Sequence, residues 1–193
     1  ITFASTAMAI LYNQLEPVFV DIDEHTLGIS LEDLDRKYTK DCVAVMPVHF
    51  AGHPIPMDQL TAWAKARNVK VIEDCAHTAG GKYQGKSLGT WGDIGCYSFE
   101  EKKCMTTADG GMISSDDQEL LKPLRHARWV GINKDTWERH LDNGVGNPDA
   151  NHWYYEISQL GYKYNMNDLM ASIGLVQLQK LEGMNRRRET LLQ

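Results

Sequence analysis

Ser98-Phe99-Glu100-Glu101-Lys102-Lys103-Cys104-Met105-Thr106-Thr107-Ala108-Asp109-Gly110-Gly111 decides how the rest of the chain is read. The apolar run Ile94-Gly95-Cys96-Tyr97 leads into it and Met112-Ile113 leads out. The pattern predicts strand, loop, strand, with a serine at the loop entrance and two lysines inside. A lysine amine held in a pocket and short of water loses proton affinity and becomes a nucleophile toward carbonyls. Pyridoxal phosphate is a common carbonyl partner of such a lysine, and its ring nitrogen calls for an acid. Val71-Ile72-Glu73-Asp74-Cys75-Ala76-His77 supplies one, with Asp74 at the end of a strand-like run. Together they describe an enzyme that links its cofactor to a lysine, built on this loop and Asp74.

Outward from that loop, elements alternate. Thr2–Tyr12 reads as a helix, with Pro17 helping to stop it. Val18–Asp23 reads as a strand. Ser30 with Asp33 three residues on marks a helix start, followed by Leu31, Leu34 and Tyr38 at helical spacing. Cys42–Val48 is an apolar run of strand length, expected to be buried on both faces. Phe50–Pro54 is a loop, and Met57, Leu60 and Ala64 mark a helix. Val69–Asp74 is a strand. Gly80–Gly95, with Gly81, Gly85, Gly89 and Gly92 inside, should be loops and turns. Asp116 or Asp117 caps a helix carrying Leu120, Leu121 and Leu124, with a kink or restart expected at Pro123. Gly131–His152 looks irregular, and Trp153–Ile157 strand-like. Asn167–Leu192 reads as one long helix, apolar enough to be buried, with a subunit interface as one such setting. The alternation predicts an α/β fold with a mostly parallel sheet flanked by helices. Ligands in such folds sit beyond the carboxyl ends of the strands, where Asp74 and Ser98 both fall.

The chain has 193 residues and a formal net charge of −6. That balance argues against a general nucleic-acid binder. No apolar run reaches the roughly 20 residues of a membrane span. Cys42, Cys75, Cys96 and Cys104 form no Cys-x-x-Cys pair, so buried thiols in a reducing cytoplasm are expected and a metal site is not. Neither glycine-rich nucleotide motif is present. Both ends look cut, since Ile1 opens directly into a helical pattern and the last helix runs to Gln193.

Several linked segments carry a resemblance: Pro17–Asp23, Pro47-Val48-His49-Phe50-Ala51-Gly52, Val71–His77, Gly92–Phe99 and Gly161-Tyr162-Lys163-Tyr164-Asn165. In this order they resemble the sugar-nucleotide aminotransferases of the DegT/DnrJ/EryC/StrS type, which are fold-type-I pyridoxal-phosphate enzymes. The likeness covers nearly the whole chain. The tail Gln177–Leu181 with Asn185-Arg186-Arg187-Arg188 looks most like the branch making 4-amino-4-deoxyarabinose. The resemblance implies that the chain is the large cofactor-binding domain (α/β/α), without an N-terminal segment and a C-terminal small domain.

It also implies site roles. The Schiff-base lysine stands five residues after the serine, which is Lys103 and not Lys102. Ser98 would bind the cofactor phosphate, Asp74 the pyridinium nitrogen and His77 the ring hydroxyl, while Phe3 would stack on the ring. A residue of Gly161–Asn165 would reach the phosphate of a neighbouring subunit, with Asn165 favoured over Lys163. Activity would be amino transfer, from glutamate, to a keto sugar on a nucleotide, in a cytoplasmic homodimer with shared active sites. Two readings compete: a dehydratase of the same family, which has histidine at the lysine position, and a non-catalytic relative. Two departures bear on substrate: Asp109 where the family usually has Glu, and the charged run Glu100-Glu101-Lys102.

Overall fold

The computed structural model of the chain describes residues 1–134 and 154–192. By contacts the chain falls into two units, Ile1–Asp116 with Asn167–Gln193, and Asp117–Met166.

The first unit is α/β with a mostly parallel sheet, as expected. Its helices are α1 (Ala4–Tyr12), α2 (Leu31–Lys37), α3 (Met57–Arg67) and a long C-terminal helix. Its main sheet has the order β1 (Ala44–Val45), β2 (Lys70–Asp74), β5 (Ile94–Ser98), β6 (Gly111–Ser114). β1, β2 and β5 are parallel and β6 returns antiparallel to β5, pairing Ser98 with Gly111. A small hairpin, β3 (Lys82–Tyr83) and β4 (Lys86–Ser87), fills part of the glycine-rich stretch. The core forms where α3 lays Leu60 and Ala64 against Val45, Val69 and Val71 of the sheet, with Ile55 and Leu88 beside them. Ser30 accepts the Asp33 N–H and caps α2, as its spacing predicts.

Two expectations are corrected here. Val18–Asp23 is not a strand: Val18 and Phe19 are more than half exposed, and its one ladder contact is the isolated bridge Ile22–Ile29. An apolar, β-branched run becomes a strand only where a partner backbone is available. The segment is instead tied down by Asp33, whose carboxylate accepts the Asp21 N–H and meets Arg36 and Lys37. Cys42–Val48 contributes only two residues to β1, with Val45 buried and Val43 58% exposed. It lies at an end of the sheet order, so one edge of its backbone has no ladder partner and the pairing stays short.

The last helix, α5, follows the helix of the second unit in chain order and spans Asp168–Leu192. Its apolar stripes call for cover from this chain or from a partner subunit. Among its described residues only Leu181 is buried, while Leu169 is 79% and Leu175 67% exposed. The described chain has too little surface on that side to cover both apolar stripes.

The second unit holds α4 (Gln118–Ala127), capped by Asp117, whose side chain accepts the Glu119 and Leu120 N–H groups. The helix runs through Pro123 without interruption, so no restart occurs. Proline there removes a single intrahelical bond, and the Gln159 amide donates to the Pro123 carbonyl at 2.7 Å. Two bridges, Trp129–Lys163 and Ile132–Ile157, close this unit on itself. Among the described residues of Trp153–Ile157 only Ile157 takes part in a bridge, and Trp153 with most of Gly131–His152 lies outside the described residues.

Gly95 is a place where the fold leaves no room for a side chain. A Cβ there would meet the Gly89 backbone and Ser114 Oγ closer than real Cβ atoms approach. Gly95→Ala is therefore expected to destabilise the protein by about 1–3 kcal/mol, read as a lower chemical-denaturation midpoint. An unchanged midpoint would show that the Gly89 turn can yield.

Candidate active site

The site residues of the first unit collect at the carboxyl ends of β2 and β5. Asp74 ends β2, pairs in register with Cys96 and is held from both sides. Thr6 Oγ1 donates to its Oδ2 at 2.7 Å, and the Ala76 N–H donates to Oδ1 at 3.1 Å. Thr6 was not singled out from sequence. Its one sequence signal is position, a hydroxyl three residues after Phe3. Phe3 is the N-cap of α1 and 77% exposed.

After Asp74 the chain turns, and His77 faces the short 3-10 turn Phe50–Gly52. The Ala51 N–H donates to His77 Nδ1 at 3.2 Å, and Phe50 meets the imidazole edge-on. With Nδ1 accepting, Nε2 carries the hydrogen and is a donor. The His77 carbonyl accepts Cys104 Sγ at 3.2 Å, which draws the lysine loop onto the Asp74–His77 turn.

Ser98 ends β5, and its Oγ accepts the Glu100 N–H at 3.4 Å, leaving the hydroxyl hydrogen to donate elsewhere. The loop is a tight turn, not an extended run: the Lys103 N–H bonds the Glu100 carbonyl, and the Lys102 N–H bonds the Glu100 carboxylate. Lys103 is half-buried and Lys102 exposed. Among the described residues the Lys103 ammonium has no hydrogen bond or ion pair. The loop is closed by Phe99, buried, whose carbonyl accepts from Thr106 Oγ1 and the Thr107 N–H. From α5, Arg188 donates to the Cys104 carbonyl at 3.1 Å and Asn185 to the Ala79 carbonyl at 3.0 Å. One helix end thus anchors both loops.

Beneath the site, Glu73 is fully buried and accepts four hydrogen bonds. Oε1 takes the Trp91 and Gly92 N–H groups; Oε2 takes the Gly89 N–H and His49 Nε2 at 3.1 Å. Burial pushes its carboxyl up, but His49 and the Gly92 and Gly89 amides outweigh this and leave it below its ordinary value. His49, fully buried against Glu73, is therefore structural. His49, Glu73 and Cys75 are the one group of clustered ligand atoms among the described residues. It is a poor cation site, since both Glu73 oxygens are committed and burial pushes the Cys75 thiol up to about 12. All four cysteines are free.

Lys163 and Asn165 belong to the second unit. The Lys163 ammonium donates to Asn165 Oδ1 at 2.6 Å and stands 4.0 Å from the centroid of the Trp129 ring. No described helix is long and apolar enough to cross a membrane.

The profile of the DegT/DnrJ/EryC1/StrS aminotransferase family matches residues 1–193. An uncharacterized protein of Methanocaldococcus jannaschii is 43% identical over 190 residues, covering 98% of this chain and 47% of its own. The spore coat polysaccharide biosynthesis protein SpsC of Bacillus subtilis is 40% identical over 191 residues, 99% of this chain and 47% of that protein. GDP-perosamine synthase of Escherichia coli O157:H7 is 37% identical over 190 residues, 98% and 48% respectively. Among solved structures, the PLP-form of a Streptococcus pneumoniae protein assigned as a sugar aminotransferase superposes with a TM-score of 0.82 at 28% identity, over 99% of this chain and 50% of that one. The chain thus spans about half the length of the curated relatives it matches.

Proposed function

The chain belongs to the DegT/DnrJ/EryC1/StrS aminotransferase family, and from that premise we propose that the protein carrying it transfers an amino group from glutamate to a keto sugar on a nucleotide carrier, with pyridoxal 5'-phosphate as cofactor. The observation that carries this reading is the half-buried, partnerless Lys103 on the loop after β5, which Cys104 bonds to the turn following Asp74, with the Asp74 carboxylate fixed by two donors at the carboxyl end of β2. This chain is read as the cofactor-binding large domain.

The donor set fits the cofactor. Asp74 offers acceptor oxygens for a ring N–H, His77 Nε2–H a donor for the ring oxygen, and Ser98 a hydroxyl for the phosphate. Phe3 offers an exposed ring face for stacking. When bound, the cofactor supplies an electron sink for negative charge at the donor's α-carbon. The protein's part is to hold and move protons. Lys103 Nζ would take the proton from the donor's α-carbon and return one to the sugar carbon that gains the amine. Asp74 would favour positive charge on the ring nitrogen, and Thr6 and Ala76 keep it aimed. The Phe50 contact holds the imidazole, and the Cys104 bond to the His77 carbonyl holds the lysine loop on the same turn, which limits the geometries Lys103 samples.

The protein is read as a cytoplasmic homodimer with shared sites, in surface-polysaccharide synthesis. The exposed Leu169, Leu175 and Leu178 of α5 support the pairing, since apolar surface on this scale calls for cover. Asn165, with Lys163 beside it, would serve the partner's phosphate. The test is a glutamate-dependent assay over a panel of keto-sugar nucleotides, with the active species sized by sedimentation. Amino sugar and 2-oxoglutarate should form in equal amounts from a dimer. No product with any keto sugar, or full activity in a monomer, would refute the corresponding part.

A further inference from the structure

We propose that Thr6 is a positioning residue for the cofactor's ring nitrogen, acting through Asp74; this rests on the reading above of Asp74. The two residues are 68 positions apart and meet at 2.7 Å, Thr6 Oγ1 to Asp74 Oδ2. A carboxylate only accepts, so the single Thr6 hydroxyl hydrogen is committed to Asp74. Thr6 Oγ1 also lies 2.6 Å from Thr2 Oγ1. With its own hydrogen spent, Thr6 is the acceptor in that contact and Thr2 the donor. Two hydroxyls, Thr2 just before the N-cap and Thr6 in the first turn of α1, therefore point in series at Asp74, each polarising the next.

On the other side, the Ala76 N–H holds Oδ1 at 3.1 Å. Fixed at both oxygens, the carboxylate does not turn about its terminal bond, and each oxygen keeps lone-pair capacity for a ring N–H. Thr6 also stands in the first turn of α1, three residues after its N-cap Phe3. One turn of α1 thus supplies the ring's stacking face and aims its charge partner. Neither effect needs Thr6 to touch the cofactor.

The test compares Thr6→Val, which keeps shape and loses the hydroxyl, with Thr6→Ser, which keeps it. The protein is stripped of cofactor, and pyridoxal phosphate is titrated back while absorbance is followed, then the bound colour is titrated with pH. Thr6→Val is expected to bind about tenfold more weakly, the loss of one hydrogen bond to a charged group. Its colour change should move to higher pH, because a less supported charge on the ring nitrogen leaves the lysine-linked nitrogen more basic. Thr6→Ser should restore both. If wild type binds cofactor on Lys103 while Thr6→Val matches it in affinity and pH midpoint, the inference fails and the site reading stands. If Thr6→Ser is as impaired as Thr6→Val, the role is packing and the inference fails. If wild type takes up no cofactor, the site reading itself fails, and the inference with it.

Discussion

Lys103→Ala is expected to lose the pyridoxyl group that borohydride fixes to the wild-type protein, and to lose at least about 10³-fold in amino transfer. Lys102→Ala should keep both. The two lysines are neighbours, and the structure separates them by burial rather than by chemistry. Glu100 organises the turn: its carbonyl accepts the Lys103 N–H and its carboxylate the Lys102 N–H. The result leaves Lys102 in solvent and Lys103 half-buried, against the turn that carries His77. An extended loop would also send neighbouring side chains opposite ways, but the separation here comes from a turn. Mass spectrometry of the reduced, digested protein locates the modified lysine. A pyridoxyl group on Lys102, or on neither lysine, overturns the assignment and the proposed mechanism.

Glu73→Gln is expected to cost about 3 kcal/mol of stability, although it changes one atom and touches no proposed ligand contact. Every group facing the Glu73 carboxylate is a donor: Trp91 and Gly92 N–H on Oε1, Gly89 N–H and His49 Nε2 on Oε2. A glutamine has one acceptor oxygen, so either orientation points its NH₂ at two donors. At full burial no water relieves the clash. A fall in Tm of roughly 10 °C follows for a chain of this size. The pH dependence has a definite sign. The folded pKa of Glu73 lies below its ordinary 4.5. Its contribution is therefore complete above the unfolded value and is lost as pH falls through the folded one. Acid should destabilise wild type more steeply below about pH 4.5 than Glu73→Gln. Equal melting temperatures for the two proteins would show that the turn at Gly89–Gly92 does not depend on this carboxylate.

Thr6 and Glu73 mark where reading the sequence stopped. Each acts through a partner far along the chain, and nothing local to Thr6 or to Glu73 names Asp74, His49 or Gly92. Periodicity also misled at Val18–Asp23. Alternating apolar residues describe what a strand needs on its faces but not whether another backbone lies within reach of its edge. The same limit applies to α5: its two apolar stripes are legible as a surface that seeks cover, and within this chain the described residues bury only Leu181 of it.

What the amino-acid order determined alone is local. The Ser30–Asp33 cap, the 3.6-residue stripe of α3, and the placement of Asp74 and Ser98 at strand ends all depend on neighbours within a few positions. So does the five-residue step from Ser98 to Lys103. Tertiary structure decided what those local pieces meet: which lysine loses water, which hydroxyl aims Asp74, and which imidazole closes the Glu73 cage. Those outcomes depend on backbone brought together across 24 to 68 positions, where a hydrogen bond of about 3 Å is made or missed by the packing of whole elements.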